Sequence, residues 1–406
     1  MPSFEQARAT ILEHVTVLGA ESATVLGCVG RVLAADLTAP WDMPRWANSA
    51  MDGYAVHAAD CPAPAGLRLT GFIPAGGGAP EPLARGTAAK ILTGAPMPAG
   101  ADAVVPVENA EEREGAVLCQ GPVRAGANVR RCGEDFRAGE PLLRAGTVIG
   151  PAEVCVLASF SRVTIPVVRR ARVAILSSGD ELVEPGQPLA PGKIYDANGL
   201  GIAAAVSQVG GEPVLLGIAR DDPASMRKLL AEGLLADALV TTAGVSAGDR
   251  DFTREVLQDL SVQQVFWKVD IKPGRPTAFA MHGPRPVFSL PGNPVSALLM
   301  FEQFVRPALL KMMGHAELLR PVARALLQDD YRKKPGRVDL VRVRLARREG
   351  TLLAWVAGNQ ETGILKTSLQ ADGIAVIPAD RGPVAAGAPV EVQLLRAGME
   401  LRGDPA

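Results

Sequence analysis

Four segments concentrate side chains suited to a phosphorylated substrate: SSGDELVEPG (177–186), ARDDP (219–223), TAGVSAGDRD (242–251) and LPGNPVSA (290–297). Each follows an apolar run that reads as a strand. Gly-rich loops entering helix amino termini expose backbone N–H groups, which suit phosphate or another oxyanion. The same segments carry Asp180, Glu181, Asp221, Asp222, Asp249 and Asp251, whose charges would repel a bare anion. A divalent cation reconciles the two, because Mg2+ commonly takes one or two carboxylates together with substrate phosphate oxygens. KVDIKPGRP (268–276) adds Lys268, Lys272 and Arg275. Together they describe a polyanion site that balances Lys and Arg against metal-binding carboxylates.

Plainer readings compete with each of these. A single acidic loop is usually a solvated turn, and Asp221-Asp222-Pro223 is equally a helix cap ahead of a proline. Convergence of four loops at one sheet edge favours the site. Gly244-Val245-Ser246-Ala247-Gly248 matches the G-x-S-x-G nucleophile elbow, which requires a helix directly after the serine and a later acid and His. Here Asp249-Arg250-Asp251 prolongs the loop, and only His282 and His315 lie downstream, so serine hydrolysis is set aside. Asp52-Gly53 reads as a hairpin turn, yet a turn does not require the preceding Asn48-Ser49-Ala50-Met51.

The elements that must position these residues fall into distinct stretches. Ser3 and Gln6 form a capping box before a helix over Phe4–Leu18. Between 46 and 139, short apolar segments alternate with Pro/Gly clusters, which predicts a small β domain. From Arg172 to Gly314 strands alternate with helices, the last of them spanning Val295–Met313, which predicts a mostly parallel sheet covered on both faces. Ligands on such sheets sit outside the carboxyl ends of the strands. From about Arg320 the pattern returns to strands and turns, a second β domain.

The chain has 406 residues, with 42 Lys+Arg against 43 Asp+Glu and a formal net charge of −1. That balance argues against a nucleic-acid binder, and the 4% aromatic content disfavours base-stacking platforms. No run reaches the roughly 20 apolar residues of a membrane span, and the amino terminus lacks signal-peptide features. A soluble, cytoplasmic protein is expected. Its five cysteines are scattered without a CxxC pair, which disfavours a disulfide framework or a structural zinc site.

The motifs NSAMDGYAV (48–56), TGAPMPAGADAVVPVE (93–108), GED (133–135), SGDEL (178–182), KIYDANG (193–199), GVSAGDRD (244–251), IKPGRP (271–276) and LPGNPVSA (290–297) occur in that order. In this the chain resembles the molybdopterin molybdenumtransferases, the MoeA family, which includes the carboxy-terminal domain of gephyrin. The likeness spans nearly the whole chain and is weakest at the C-terminal β domain. It implies a multidomain α/β plus β fold: a linking domain from 1–45 (with the N-terminal helix) and 140–171, an inserted β domain over 46–139, a molybdopterin-binding α/β domain over 172–319, and a C-terminal β-barrel-like domain over 320–406.

The resemblance further implies a homodimer whose α/β cleft faces the β domain of the partner chain. The family inserts molybdate into adenylylated molybdopterin with release of AMP and Mg2+ present. Position by position, Asp52, Thr93, Asp135, Glu181, Asp221 and Asp251 match the catalytic positions, and Glu181, Asp221 and Asp251 match the metal ligands. Lys268, Lys272, Arg275, Ser246, Gly248, Pro291, Gly292, Asn293, Arg342 and Thr362 match substrate-binding positions. The pterin adenylyltransferase and recipient molybdoenzymes are implied as transient partners; neither nucleic acid nor membrane is. Three departures stand out: Ala243 replaces a frequent Gly, Ser178 a usual Thr, and Arg275 a frequent Lys. A gephyrin-like non-catalytic scaffold and a pterin adenylyltransferase are the alternatives.

Overall fold

The computed structural model of the chain describes residues 1–62, 64–243 and 252–395. They form two compact units: Met1–Ala23, Cys28–Ala34 and Pro166–Ala406 in one, and Thr24–Gly27 with Ala35–Ile165 in the other. Among the described residues no helix is long and apolar enough to cross a membrane.

Helix α1 spans Phe4–His14, with Ser3 and Gln6 closing the expected capping box. It stops before the expected Leu18. Val15 is extended at φ −91° and ψ 138°, as suits the β-branched run Val15-Thr16-Val17. Val15 is nonetheless buried, and the Leu18 N–H donates to the Met312 carbonyl at 2.8 Å. The apolar spacing read as one more helical turn therefore belongs to extended chain lying on the same core.

The smaller unit is built on a six-stranded sheet. Its strands are β1 (Gly53–Val56), β2 (Ala65–Ile73), β3 (Thr87–Ile91), β4 (Ala103–Pro106), β5 (Ala110–Arg113) and β6 (Ala116–Cys119), in spatial order β4-β1-β3-β2-β6-β5. Only β2 and β3 run parallel; the other pairs are antiparallel. Tyr54 and Val56 face one small core and Ala55 another, the alternation of a strand covered on both sides. A helix, α2 (Pro151–Ser159), follows in the same unit.

The α/β sheet of the larger unit has the strands β7 (Arg172–Ser178), β8 (Glu212–Ala219), β9 (Ala238–Thr242), β10 (Gln263–Phe266), β12 (Ala278–His282) and β13 (Arg285–Leu290). Between β10 and β12 in the chain lies the two-residue β11 (Ile271–Lys272), which belongs to another sheet. The spatial order is β8-β7-β9-β13-β12-β10. The first four strands are parallel, and β12 completes the sheet running opposite to both its neighbours, β13 and β10. Val173 and Ile175 of β7 face the core under α3 (Ala197–Gln208) and α6 (Pro294–Met300). Ala174 and Leu176 face the core under α4 (Pro223–Gly233) and α5 (Phe252–Asp259). Burial on both faces is why RVAIL reads as a continuous apolar run.

The expected long helix is interrupted. After α6 comes a π turn at Phe301–Val305, then α7 (Arg306–Met312). Pro307 lacks an N–H for a regular ladder, and the π turn absorbs the mismatch just before it.

The last sheet contains β14 (Val322–Leu327), β15 (Val338–Arg348), β16 (Thr351–Val356), β17 (Gly373–Ile377) and β18 (Pro389–Leu394), with the short α8 (Lys366–Gln370) before β17. Pairing of β15 with β17 closes these five strands into a barrel. Strand β11 adds to its outside, parallel to β15.

Candidate active site

The register of the α/β sheet sets one edge. Ser177 pairs with Thr242, Ser178 with Ala219, and Thr242 with Leu290, so all four motif loops leave the carboxyl ends of adjacent parallel strands. Chain order reverses around β7, with β8 on one side and β9 on the other. Such a switch point opens a crevice for ligands.

Asp180 and Asp221 meet there. The Asp221 N–H donates to the Asp180 carboxylate at 3.2 Å, and the Asp180 N–H reaches the Asp221 carboxylate at 3.4 Å. Lys193 donates to the Asp180 carbonyl at 2.6 Å, and Arg220 reaches the carbonyls of Asp180 and Leu182. These cations pin the loop through its backbone and leave the Glu181 carboxylate exposed beside Asp180. The cap reading proves correct for Asp222, which accepts from the Ser225 N–H at 2.8 Å at the start of α4. Asp221, one residue earlier, is not the cap.

The PGN loop is joined to this edge by a residue the motif reading did not single out. Asn198, from KIYDANG, donates to the Gly292 carbonyl at 2.7 Å, and its own side-chain oxygen is buried without a partner. Pro291 is buried, whereas Gly292 and Asn293 are exposed. Asn293 heads α6 without a side-chain capping bond. At Gly292 an added Cβ would sit 3.3 Å from that of Ala243, a tight approach. Ala243 itself has φ +71°, the left-handed region that favours glycine. At the second departure, the Ser178 hydroxyl is buried and lies 3.5 Å from the Thr242 carbonyl.

Ser246, Gly248 and Asp251 lie outside the described residues. Among those described, no group of three or more His, Cys, Asp or Glu is placed to hold a metal ion.

In the smaller unit the NSAMDGY stretch acquires a physical reason. Asn48-Ser49 pairs with Val129-Arg130, the strand just before GED. Ser49 N–H donates to Ala95, and Gly94 N–H donates back to Ser49. The Asp52 carboxylate then accepts from both the N–H and the hydroxyl of Thr93, each at 2.7 Å. These two bonds hold its pKa below the ordinary aspartate value, the backbone bond contributing most. Asp52-Gly53 is therefore not the expected hairpin turn. Gly53 enters β1 so close to β4 that a Cβ would stand 2.1 Å from the Val105 carbonyl oxygen. Asp135 is exposed, with its N–H donated to the Met43 carbonyl at 3.0 Å. The Asn48 side-chain oxygen is buried and unpartnered.

The cationic segment runs along the barrel. Val269 and Ile271 are buried and Lys268, Lys272 and Arg275 exposed; alternation turns the two lysines outward, and Arg275 lies beyond the strand, after Gly274. Gly274, at φ +100°, lies where any Cβ would overlap Met300. Lys272 borders two clefts. One, of about 450 Å³, is shared with Tyr331 and the 359–363 loop, including Thr362. The other, of about 780 Å³, is shared with Arg332, Lys333, Lys334 and Arg337. This second group went unread, although the run RKKPGR (332–337) signals it.

Arg342 is 2% exposed and does not line either cleft. Its guanidinium donates to the Thr367 hydroxyl at 2.9 Å and reaches the carbonyls of Asn359 and Glu361, which shapes the loop bearing Thr362. Burial lowers its pKa, and its Nη1 has no partner among the described residues.

Three family models cover the chain: MoeA N-terminal region (domain I and II) over residues 2–161, probable molybdopterin binding domain over 174–311, and MoeA C-terminal region (domain IV) over 324–395. Molybdopterin molybdenumtransferase 2 of Mycobacterium tuberculosis is 34% identical over 403 residues, spanning 97% of this chain and 99% of the relative. The molybdopterin molybdenumtransferase of Haemophilus influenzae is 33% identical over 398 residues, spanning 97% and 98%. The crystal structure of the molybdopterin biosynthesis MoeA protein from Pyrococcus horikoshii OT3 matches with a TM-score of 0.81 and 30% identity, over 97% of this chain and all of that one. With its N-terminal, molybdopterin-binding and C-terminal regions all present and in order, the chain belongs to the MoeA family.

Proposed function

We propose that this chain is a molybdopterin molybdenumtransferase, which inserts molybdate into adenylylated molybdopterin and releases AMP, acting as a cytoplasmic homodimer with Mg2+. The observation that carries this reading is kinship over the full length with proteins of that name. A pterin adenylyltransferase on an α/β domain would need neither the β unit nor the barrel, and a scaffold would have no use for acidic loops at the switch point.

The division of labour follows from chemistry. The dithiolene that receives molybdenum belongs to the pterin, so the protein supplies positioning and electrostatics. Lys268, Lys272 and Arg275 bind phosphate and molybdate oxygens through charge-assisted hydrogen bonds. Thr362 sits on the cleft wall, and Arg342 shapes that wall from behind. Ser246, Gly248, Pro291, Gly292 and Asn293 complete the pterin and phosphate contacts. Glu181, exposed, and Asp221, half-buried, offer hard carboxylate oxygens, a donor set that fits Mg2+; with Asp251 they would hold it. When bound, the ion would neutralise charge on the pyrophosphate oxygens. Asp52, fixed by Thr93, and Asp135 come to the same substrate from the β unit of the partner chain. Transient docking of the pterin adenylyltransferase and of recipient molybdoenzymes belongs to the same proposal.

The decisive assay incubates the full chain with adenylylated molybdopterin, Mg2+ and molybdate and follows AMP. Lys272→Ala is expected to weaken pterin binding by about 10–150-fold, the loss of one charge-assisted hydrogen bond of about 1.5–3 kcal/mol, while remaining folded. Failure of the wild-type chain to release AMP would overturn the function; unchanged affinity in the variant would remove Lys272 from the site.

A further inference from the structure

We infer that the larger unit carries a second anion site, in a cavity at the amino-terminal edge of its α/β sheet, shaped for a small phosphate dianion, free or as an ester. The cavity measures about 400 Å³. Arg170, two residues before β7, and Gly210, between α3 and β8, lie on its wall. The loops proposed for the transferase leave the opposite edge of the same strands. A seven-residue strand such as β7 separates those edges by roughly 20 Å at about 3.3 Å per residue.

Four guanidinium groups and an imidazole line it: Arg31, Arg170, Arg306, Arg320 and His315. The carboxylates facing them are fewer. Glu302 lies 2.7 Å from Arg320 and 3.5 Å from Arg306, and Glu21 pairs with Arg31. Counted as side chains, four cations stand against two anions, and the carboxyl ends of α3 and α7, which also line the cavity, offset roughly one of the two surplus charges. These are not surface arginines lying over solvent. The side chains of Arg31, Arg306 and Arg320 are 10%, 13% and 17% exposed, and gathering unbalanced like charges at such depth is unfavourable without a counter-charge.

The forks are held in place by backbone carbonyls. Arg31 donates to Val168, Arg170 to Gly210 and Arg306 to Leu318, at 2.7–3.0 Å. One donor is left over: Nε of the nine-tenths-buried Arg31 has no partner among the described residues. Burial and, after it, Arg306 lower the pKa of His315, and its imidazole can report an incoming anion. A phosphate group would meet the remaining positive charge, and the volume accommodates phosphate with a small organic group.

The test follows the imidazole Cε1–H resonances of the full-length chain during titration with inorganic phosphate and, separately, glycerol 3-phosphate. The chain has 4 histidines, and His315→Gln identifies the relevant signal. Saturable movement of the His315 resonance and a raised His315 pKa with either probe are expected, and the tighter probe names the source of the phosphate. Arg170→Gln should weaken binding by about tenfold or more, the lower end for one charge-assisted hydrogen bond. Gln208→Glu, at the exposed end of α3, should weaken it similarly without disturbing an arginine. Lys272→Ala should leave the His315 response unchanged, which separates this site from the transferase clefts. A His315 resonance indifferent to both probes would overturn the inference, as would wild-type affinity in both cavity variants.

Discussion

Two hydrogen bonds from Thr93 hold the Asp52 carboxylate and keep it ionised to lower pH than an ordinary aspartate, whose pKa is about 3.9. Because the folded value lies below the unfolded one, the stabilisation is present above the unfolded pKa and lost as pH falls through the folded pKa. Thr93→Val removes the hydroxyl bond and keeps the backbone one. The Asp52 pKa should rise toward the ordinary value, read from the pH dependence of its carboxyl resonance, and the acid limb of unfolding should become shallower. A second residue-scale expectation concerns Ala243 at φ +71°. A left-handed L-residue costs about 1–2 kcal/mol, and glycine gives back about 0.5–1 kcal/mol in chain entropy. Ala243→Gly should therefore raise stability by about 0.5–1 kcal/mol in denaturant unfolding. As candidates, Asp52 and Glu181 were legible from the motifs that carry them. Their reasons were not: that Gly53 is required by the Val105 carbonyl, or that Asn198 ties the PGN loop, depends on approaches between segments tens of residues apart.

At the scale of elements, the α/β unit was readable because local periodicity carries it. Doubly covered strands give apolar runs, Pro223 and Asp222 mark a helix start, and Ser3 and Gln6 close a capping box. What escaped was decided by distant partners. Val15–Leu18 keeps helical spacing yet packs extended against the end of α7. Lys272 belongs to a loop by its own sequence and to the barrel only through pairing with Asp339. Barrel closure is likewise a long-range register between β15 and β17. Arg342, buried beneath the 359–363 loop, tests how far that wall depends on one side chain. Arg342→Met fills similar volume but deserts the Thr367 hydroxyl and the carbonyls of Asn359 and Glu361. It should cost about 1–3 kcal/mol and speed amide exchange across residues 359–367. Pterin affinity should fall even though the arginine lines neither cleft.

For the whole molecule, the proposed site draws on both compact units, Asp52 and Thr93 in one and Glu181, Asp221 and Lys272 in the other. A homodimer in which each site takes its β-unit residues from one chain and its α/β residues from the other makes a quantitative demand. Asp52→Ala and Lys272→Ala should each be nearly inactive as pure dimers, since every site lacks one group. When the two are unfolded, mixed in equal amounts and refolded, random pairing gives about half heterodimers. In a heterodimer one site then carries both substitutions and the other neither, so total AMP release should recover to about a quarter of the wild-type rate. If each site is instead built within a single chain, every site in the mixture still lacks either Asp52 or Lys272, and activity stays at the level of the single variants. Light scattering on the same samples separates this outcome from failure to pair, because monomers would show half the dimer mass. Dimers without recovery would therefore reject the shared site while leaving the family relationship untouched.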